Sequence, residues 1–253
     1  KTKPVALTAA GQRLCETAKD VLPRLHRLEQ DLLRQASGDG GRLHIAIECH
    51  SCYLWLMPTF DLYRQQWSQI ELDIAGGFAF DGFDALLAGD LDLVVTADPE
   101  DLPGISFVPL FNYECVLTLP HGHALLDKDI IEARDLQNET LIIYPIPHKK
   151  LDVFRQFLHP AGIEPAHLRT SELTVMMMAL VAGGRGLCAI PNWAAEEFTS
   201  RDYVACRSLG TGVFSTLYAA VRDDSLEMKY MQEFLLLAKD MPFEHLKGIV
   251  RPS

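Results

Sequence analysis

The chain has 253 residues, 48% hydrophobic and 23% charged, enough to bury one large core or two smaller ones. A net charge of −11 argues against nucleic-acid binding by bulk electrostatics, and no apolar run reaches the length of a membrane span. The six cysteines (Cys15, Cys49, Cys52, Cys115, Cys188 and Cys206) are scattered, which argues against a secreted disulfide framework and for reduced thiols. With no signal-peptide pattern at the start, a cytoplasmic location is expected. Lys1 stands where an initiator Met would, so a preceding segment is expected to be missing.

Residues 9–36 read as a helix, with Thr8 as its N-cap. Leu14, Ala18, Val21, Leu25, Leu28 and Leu32 step by 4, 3, 4, 3 and 4, a heptad seam that predicts helix-on-helix dimerisation. Pro23 lies off the seam and should bend the helix. The run SGDGG at 37–41 is a flexible linker and a natural boundary.

Beyond the linker, strand and helix patterns alternate. Strands are expected at 43–48, 70–74, 91–96, 106–110, 114–119, 140–144, 187–190, 203–206 and 214–221. Helices are expected at 52–66, 83–87, 149–159, 172–182, 192–198 and 226–240. In the first of these, Leu54, Met57, Leu62 and Trp67 are candidates for burial. This alternation predicts an α/β fold of parallel sheets with helices on their faces. Ligands bind such folds at the carboxyl ends of the strands.

The segment GRLHIAIECHSCYLWLMP at 41–58 is a strand, a polar elbow and a helix start. Unpaired backbone N–H groups and the positive dipole end make such an elbow a site for a carboxylate. Cys49-x-x-Cys52 with His50 between has other readings: a redox pair on a helix N-terminus, a partial metal site, or packing. A lone pair of cysteines supplies two ligands, and no second cluster follows. Thr96 ends a buried strand and faces the strand-end crevice, and Asp98, two residues on, is a candidate acceptor for an ammonium. His121 and His123 read as loop residues rather than metal ligands. Asp81, Asp84, Asp90 and Asp92 read as structural caps. No nucleophile elbow, P-loop or dinucleotide fingerprint is present, so no catalytic residues, metal or cofactor are assigned.

Several segments resemble the LysR family of bacterial transcriptional regulators. PVALTAAGQRL at 4–14 is similar to the end of the family's winged DNA-binding domain and the start of its linker helix. GRLHIAIE resembles the first strand of its effector domain. ALLAGDLDLVVT at 85–96 and AGGRGLCAIPNW at 182–193 resemble two further family segments. LPHGHALL at 119–126 resembles the hinge, with Gly122 where Pro is usual. IAIECHSC, YECVLTL, ETLIIYP and LYAAVRD resemble the branch that activates methionine-biosynthesis genes with homocysteine as co-regulator.

The resemblance implies two Rossmann-like subdomains of the periplasmic-binding-protein type II kind, preceded by a long linker/dimerisation helix. Residues 1–8 would be the remnant of the DNA-binding domain, with Lys1 and Lys3 as phosphate contacts. Effector subdomain I would be 42–112 plus 215–243, and subdomain II 113–214. His50, Ser51 and Cys52 fall where such regulators meet the effector carboxylate. Tyr144 and His148, beside Pro145, are the second subdomain's counterpart. Phe80, with Phe78, would wall the pocket for a thiol or thioether. Glu172 would complement a helix dipole, and Met176, Met177 and Met178 read as core. The partners implied are promoter DNA, a small-molecule effector, a second or fourth copy of the chain, and RNA polymerase, with no membrane. Two alternatives stand beside this: a periplasmic-type solute receptor, and a thiol redox sensor using Cys49 and Cys52.

Overall fold

The computed structural model describes residues 7–36, 41–48, 52–75 and 82–252. The expectations for Lys1, Lys3, the linker at 37–40, Cys49, His50, Ser51, Phe78, Phe80 and Asp81 lie outside these residues.

Helix α1 spans Ala9–Ala36. Thr8 caps it: the hydroxyl accepts the Gly11 N–H at 3.1 Å and the carbonyl accepts the Gln12 N–H at 2.8 Å. Leu14, Val21, Leu25, Leu28 and Leu32 are all exposed, and Ala18 is half-buried. The apolar seam is therefore uncovered within the single chain.

The remaining strands are β1 (Gly41–Ile47), β2 (Ile70–Ile74), β3 (Leu93–Thr96), β4 (Ile105–Leu119), β5 (Thr140–Ile143), β6 (His167–Thr170), β7 (Cys188–Pro191) and β8 (Ala205–Arg222). The helices are α2 (Tyr53–Gln66), α3 (Gly82–Ala88), α4 (Thr174–Ala182), α5 (Asn192–Thr199) and α6 (Lys229–His245). Six strands form one sheet in the order β2-β1-β3-β8-β4-β7, with β1 parallel to β2 and β3 and the other pairs antiparallel. Strand β6 pairs parallel with β5, and β5 meets β7 through Leu187: Ile142 N–H donates to its carbonyl at 2.7 Å, and its own N–H donates to Thr140 O at 2.9 Å. Two lobes result with the same order, β2-β1-β3-β8-β4 and β6-β5-β7-β4-β8, and the long strands β4 and β8 exchange places between them.

The pairing of β4 with β8 shifts register twice. One shift falls at Pro109, which has no N–H to give to the ladder. The other skips residues 209–212, where Gly210 and Gly212 take the positive φ values of 56° and 107° that other residues avoid. Between the shifts sits Phe111, fully buried, with Trp55 of α2 and Trp193 of α5 edge-on to its ring at 6.1 Å each. One core cluster thus continues from lobe to lobe through the crossing strands. Helix α6 covers α2, with Phe234 edge-on to Tyr63 at 5.3 Å.

Several expectations are corrected. The four strands expected at 106–110, 114–119, 203–206 and 214–221 are two continuous strands, β4 and β8. The helix expected at 149–159 is a 3-10 turn at His148–Lys150, a π-helical segment at Val153–Leu158 and a second 3-10 turn at His159–Ala161. Strand β6 was not expected. Helix α2 buries Trp55, Leu56, Thr59, Phe60 and Tyr63, whereas Met57 is exposed and Leu54, Leu62 and Trp67 are half-buried. In α4, Met177 and Met178 are core but Met176 is exposed.

Candidate functional site

Strands β1 and β3 are parallel neighbours in the first lobe, so their carboxyl ends lie side by side. Glu48 follows β1, Thr96 ends β3, and Asp98 lies just beyond. Thr96 is fully buried. Its Oγ1 donates to Glu48 Oε2 and accepts the Asp98 N–H at 3.0 Å. One hydroxyl therefore holds the Glu48 carboxylate and the Asp98 main chain.

Across the cleft, the segment after β5 supplies the opposite charges. Lys150 Nζ lies 3.6 Å from Glu48 Oε1. Arg155, in the π-helical segment, donates Nη1 to Asp98 Oδ1 at 3.0 Å and Nη2 to Asp152 Oδ1 at 2.6 Å. π-Helical turns often stand at functional sites. Here the turn carries Arg155 and Gln156, both bonded to Asp152. Asp152 is a hub: Tyr113 OH donates to Oδ2 at 2.8 Å, and Ser215 Oγ and Gln156 Nε2 donate to Oδ1 at 2.7 and 3.2 Å. Tyr113 and Ser215 face each other on β4 and β8, inside the stretch between the register shifts. The cleft network is thus wired to the strands that join the lobes.

Burial drives the Asp98 carboxyl upward, against the pull of Arg155 and Lys150; the Glu48 and Asp152 charges add to the rise. Burial also works against the Arg155 charge, but the hydrogen bond and charge of Asp152, with the Asp98 charge, outweigh it and raise its pKa.

The sequence candidates are placed as follows. Thr96 and Asp98 belong to the cleft network, in which Asp98 accepts from the Arg155 guanidinium at 3.0 Å. Cys52 is fully buried beside the start of α2 and offers no accessible surface. Tyr144 is half-buried just after β5, its hydroxyl 2.6 Å from Thr174 Oγ1. His148 stacks on Phe154 at 4.5 Å, which ties its ring to its own lobe. Beside Tyr144, an open cavity of about 350 Å³ is lined by Pro145, Thr170, Ser171, Glu172, Leu173 and Met176. Sequence reasoning missed the roles of Glu48, Lys150, Asp152 and Arg155. One available signal was Glu48 itself, a charge directly after the apolar strand IAI. Lys150 gave none, because its partner lies on the other lobe; Arg155 stands three residues after its partner Asp152, but its second partner, Asp98, lies on the other lobe.

His121 and His123 hold loops: His121 Nε2 contacts Asp202, and the His123 ring accepts the Leu125 N–H at 3.3 Å. Among the described residues, no group of three or more His, Cys, Asp or Glu is placed to hold a metal ion. Among them, no helix is long and apolar enough to cross a membrane.

Residues 36–241 match the LysR substrate binding domain. Over 250 residues the chain is 41% identical to the HTH-type transcriptional regulator MetR of Haemophilus influenzae, covering 98% of this chain and 81% of that protein. MetR of Escherichia coli strain K12 is 38% identical over 256 residues, covering 100% of this chain and 80% of that protein. Among solved structures, the regulatory domain of MetR from N. meningitidis, a LysR family regulator, matches with a TM-score of 0.77 at 38% identity, covering 84% of this chain and 98% of that one.

Proposed function

The chain belongs to the LysR family of transcriptional regulators and contains its substrate-binding domain, and on that premise we propose that it senses homocysteine and controls methionine-biosynthesis genes. Its relatives named MetR support the gene class. The observation that carries the sensing role is the cleft, where acids at the ends of β1 and β3 meet bases from the second lobe. The effector enters between the lobes near Thr96 and Tyr144, with His50, Ser51, Phe80 and His148 as further contacts, whereas Cys52 is fully buried and is not one of them. Binding shifts the population of lobe arrangements, and two α1 helices, paired along their seams, pass the change to DNA-binding heads. In this reading Lys1 and Lys3 touch phosphate, the oligomer is a dimer or tetramer, RNA polymerase is a downstream partner, and the protein works in the cytoplasm.

Calorimetry with L-homocysteine under reducing conditions tests the effector, with L-methionine and L-cysteine as controls. Saturable heat selective for homocysteine, and lost in Ser51→Ala, is expected. A folded protein that gives no heat with homocysteine would refute the effector assignment and leave the family unchanged.

A further inference from the structure

We propose that Glu48 and Lys150 are the pair that reads the head group of the ligand: Glu48 takes an α-ammonium and Lys150 an α-carboxylate, so the cleft is built for a zwitterionic α-amino acid. This deepens the reading above and rests on the cleft being the effector site.

The pair is shielded but poorly satisfied. The Glu48 and Lys150 side chains are 15% and 21% exposed. The Thr96 hydroxyl occupies Glu48 Oε2 and leaves Oε1 facing the cleft. There its neighbour is Lys150 Nζ, at 3.6 Å, beyond the range of an N–H···O hydrogen bond. Among the described residues, Lys150 Nζ donates no hydrogen bond. Two opposite charges have been taken largely out of water, yet neither has gained a hydrogen bond from the other, which leaves much of the desolvation cost uncompensated.

The neighbouring pair is different. Arg155 donates directly to Asp98 and to Asp152, and Asp98 is held by that bond and by Thr96. It is a finished contact, whereas Glu48–Lys150 is an open one. A zwitterion placed between Glu48 Oε1 and Lys150 Nζ gives each a hydrogen-bonded counter-charge and leaves the net charge of the cleft unchanged. A plain carboxylate would satisfy Lys150 and strand Glu48, and a plain amine would do the reverse. The pair therefore selects for both charges on one molecule. A gap of 3.6 Å admits no third group, so the lysine swings aside on its flexible four-carbon stem, or the lobes part, as ligand enters.

The test is calorimetry on the 253-residue chain with three ligands that share a thiol chain: L-homocysteine, 4-mercaptobutanoate without the ammonium, and 3-mercaptopropan-1-amine without the carboxylate. The other common L-amino acids form a second panel. Each single-charge analogue is expected to bind about ten- to a hundredfold more weakly than homocysteine. In Glu48→Gln the advantage of homocysteine over 4-mercaptobutanoate should collapse. In Lys150→Met its advantage over the amine should collapse. The unmodified protein with the analogues serves as the readout if either variant folds poorly. If 4-mercaptobutanoate binds as tightly as homocysteine, or Glu48→Gln keeps the full discrimination, the assignment is wrong and the homocysteine reading survives. If homocysteine fails but another α-amino acid binds with the same dependence on Glu48, the homocysteine reading falls and this one stands. If no α-amino acid binds, the assignment is overturned.

Discussion

Asp92 and Arg222 are 1% and 5% exposed, and each is tied down by more than the other. Arg222 Nη1 donates to the carbonyls of Leu86 and Leu91 at 3.0 and 2.7 Å, closing the turn between α3 and β3, while Nη2 lies 3.4 Å from Asp92 Oδ1. The other Asp92 oxygen accepts the His44 N–H at 3.0 Å and lies 3.7 Å from Arg42 Nε. Removing one partner of a buried pair leaves a charge without compensation. Arg222→Met should therefore cost about 3–5 kcal/mol, read as a lower urea midpoint. Asp224, which touches Arg222 from a 62% exposed position, should change stability by less than about 0.5 kcal/mol when made Ala. The role of Asp92 as a structural acid was legible from its place in GDLDL. Its partner was not, because spacing along a chain carries no information about which distant residue faces a buried charge. Thiols give a second prediction at this scale. Burial pushes the Cys115, Cys188 and Cys206 thiols above their ordinary value of 9.0. Between that value and the folded one, the unfolded chain loses protons that the folded chain keeps, so stability falls as pH rises. The contribution is fully present below the ordinary thiol pKa. Urea midpoints should decline from about pH 8 to about pH 10, with a shallower decline in Cys188→Ala. An unchanged slope in that variant would show that the thiol is not a source.

Among the elements, α1 exposes the strongest demand for a partner. Five of its six seam positions are exposed apolar side chains, and a row of leucines at heptad spacing is stable in water when a second helix covers it. Introducing Leu25→Glu together with Leu28→Glu should convert the oligomer to monomer in sedimentation velocity runs. The thermal unfolding of the lobes should be retained, since neither residue packs in their core. An unchanged sedimentation coefficient would place the oligomer interface elsewhere. The extent of this helix was readable because its pattern runs unbroken for 28 residues and Thr8 marks its start. Strands β4 and β8 were harder. Pro109 and the Gly210–Gly212 stretch are breakers by local rules, yet each sits at a register shift that lets a long strand continue into the other lobe. Strand β6, with the residues HLRT, shows no alternation because all four are exposed at the sheet's edge. The face of α2 was misjudged because Leu54 and Met57 are as apolar as Trp55 and Leu56, and only the tertiary packing of α6 and Phe111 decides between them.

At the scale of the whole molecule, the strand-end crevice of each lobe followed from topology, but the cleft between them depends on how the lobes sit. That is why Thr96 was foreseen and Arg155 was not. Arg155 joins three parts: Asp98 of the first lobe, Asp152 of the second, and through Asp152 the hydroxyls of Tyr113 and Ser215 on the crossing strands. Phe111, between two tryptophans at that crossing, is the packed pivot. The Arg155 side chain is 37% exposed, so its tie to Asp98 is screened by water and contributes on the order of 0.2–1 kcal/mol to closure. A shift of that size changes the balance of two arrangements several-fold at most. Arg155→Met should therefore raise the radius of gyration in X-ray scattering at low salt. Added salt should open the unmodified protein in the same direction and the variant less, since the variant has already lost one of the two cross-cleft ion pairs found among the described residues. A variant with unchanged scattering would mean that the Phe111 packing alone sets the lobe angle, and that the charges across the cleft serve ligand recognition without holding the lobes together.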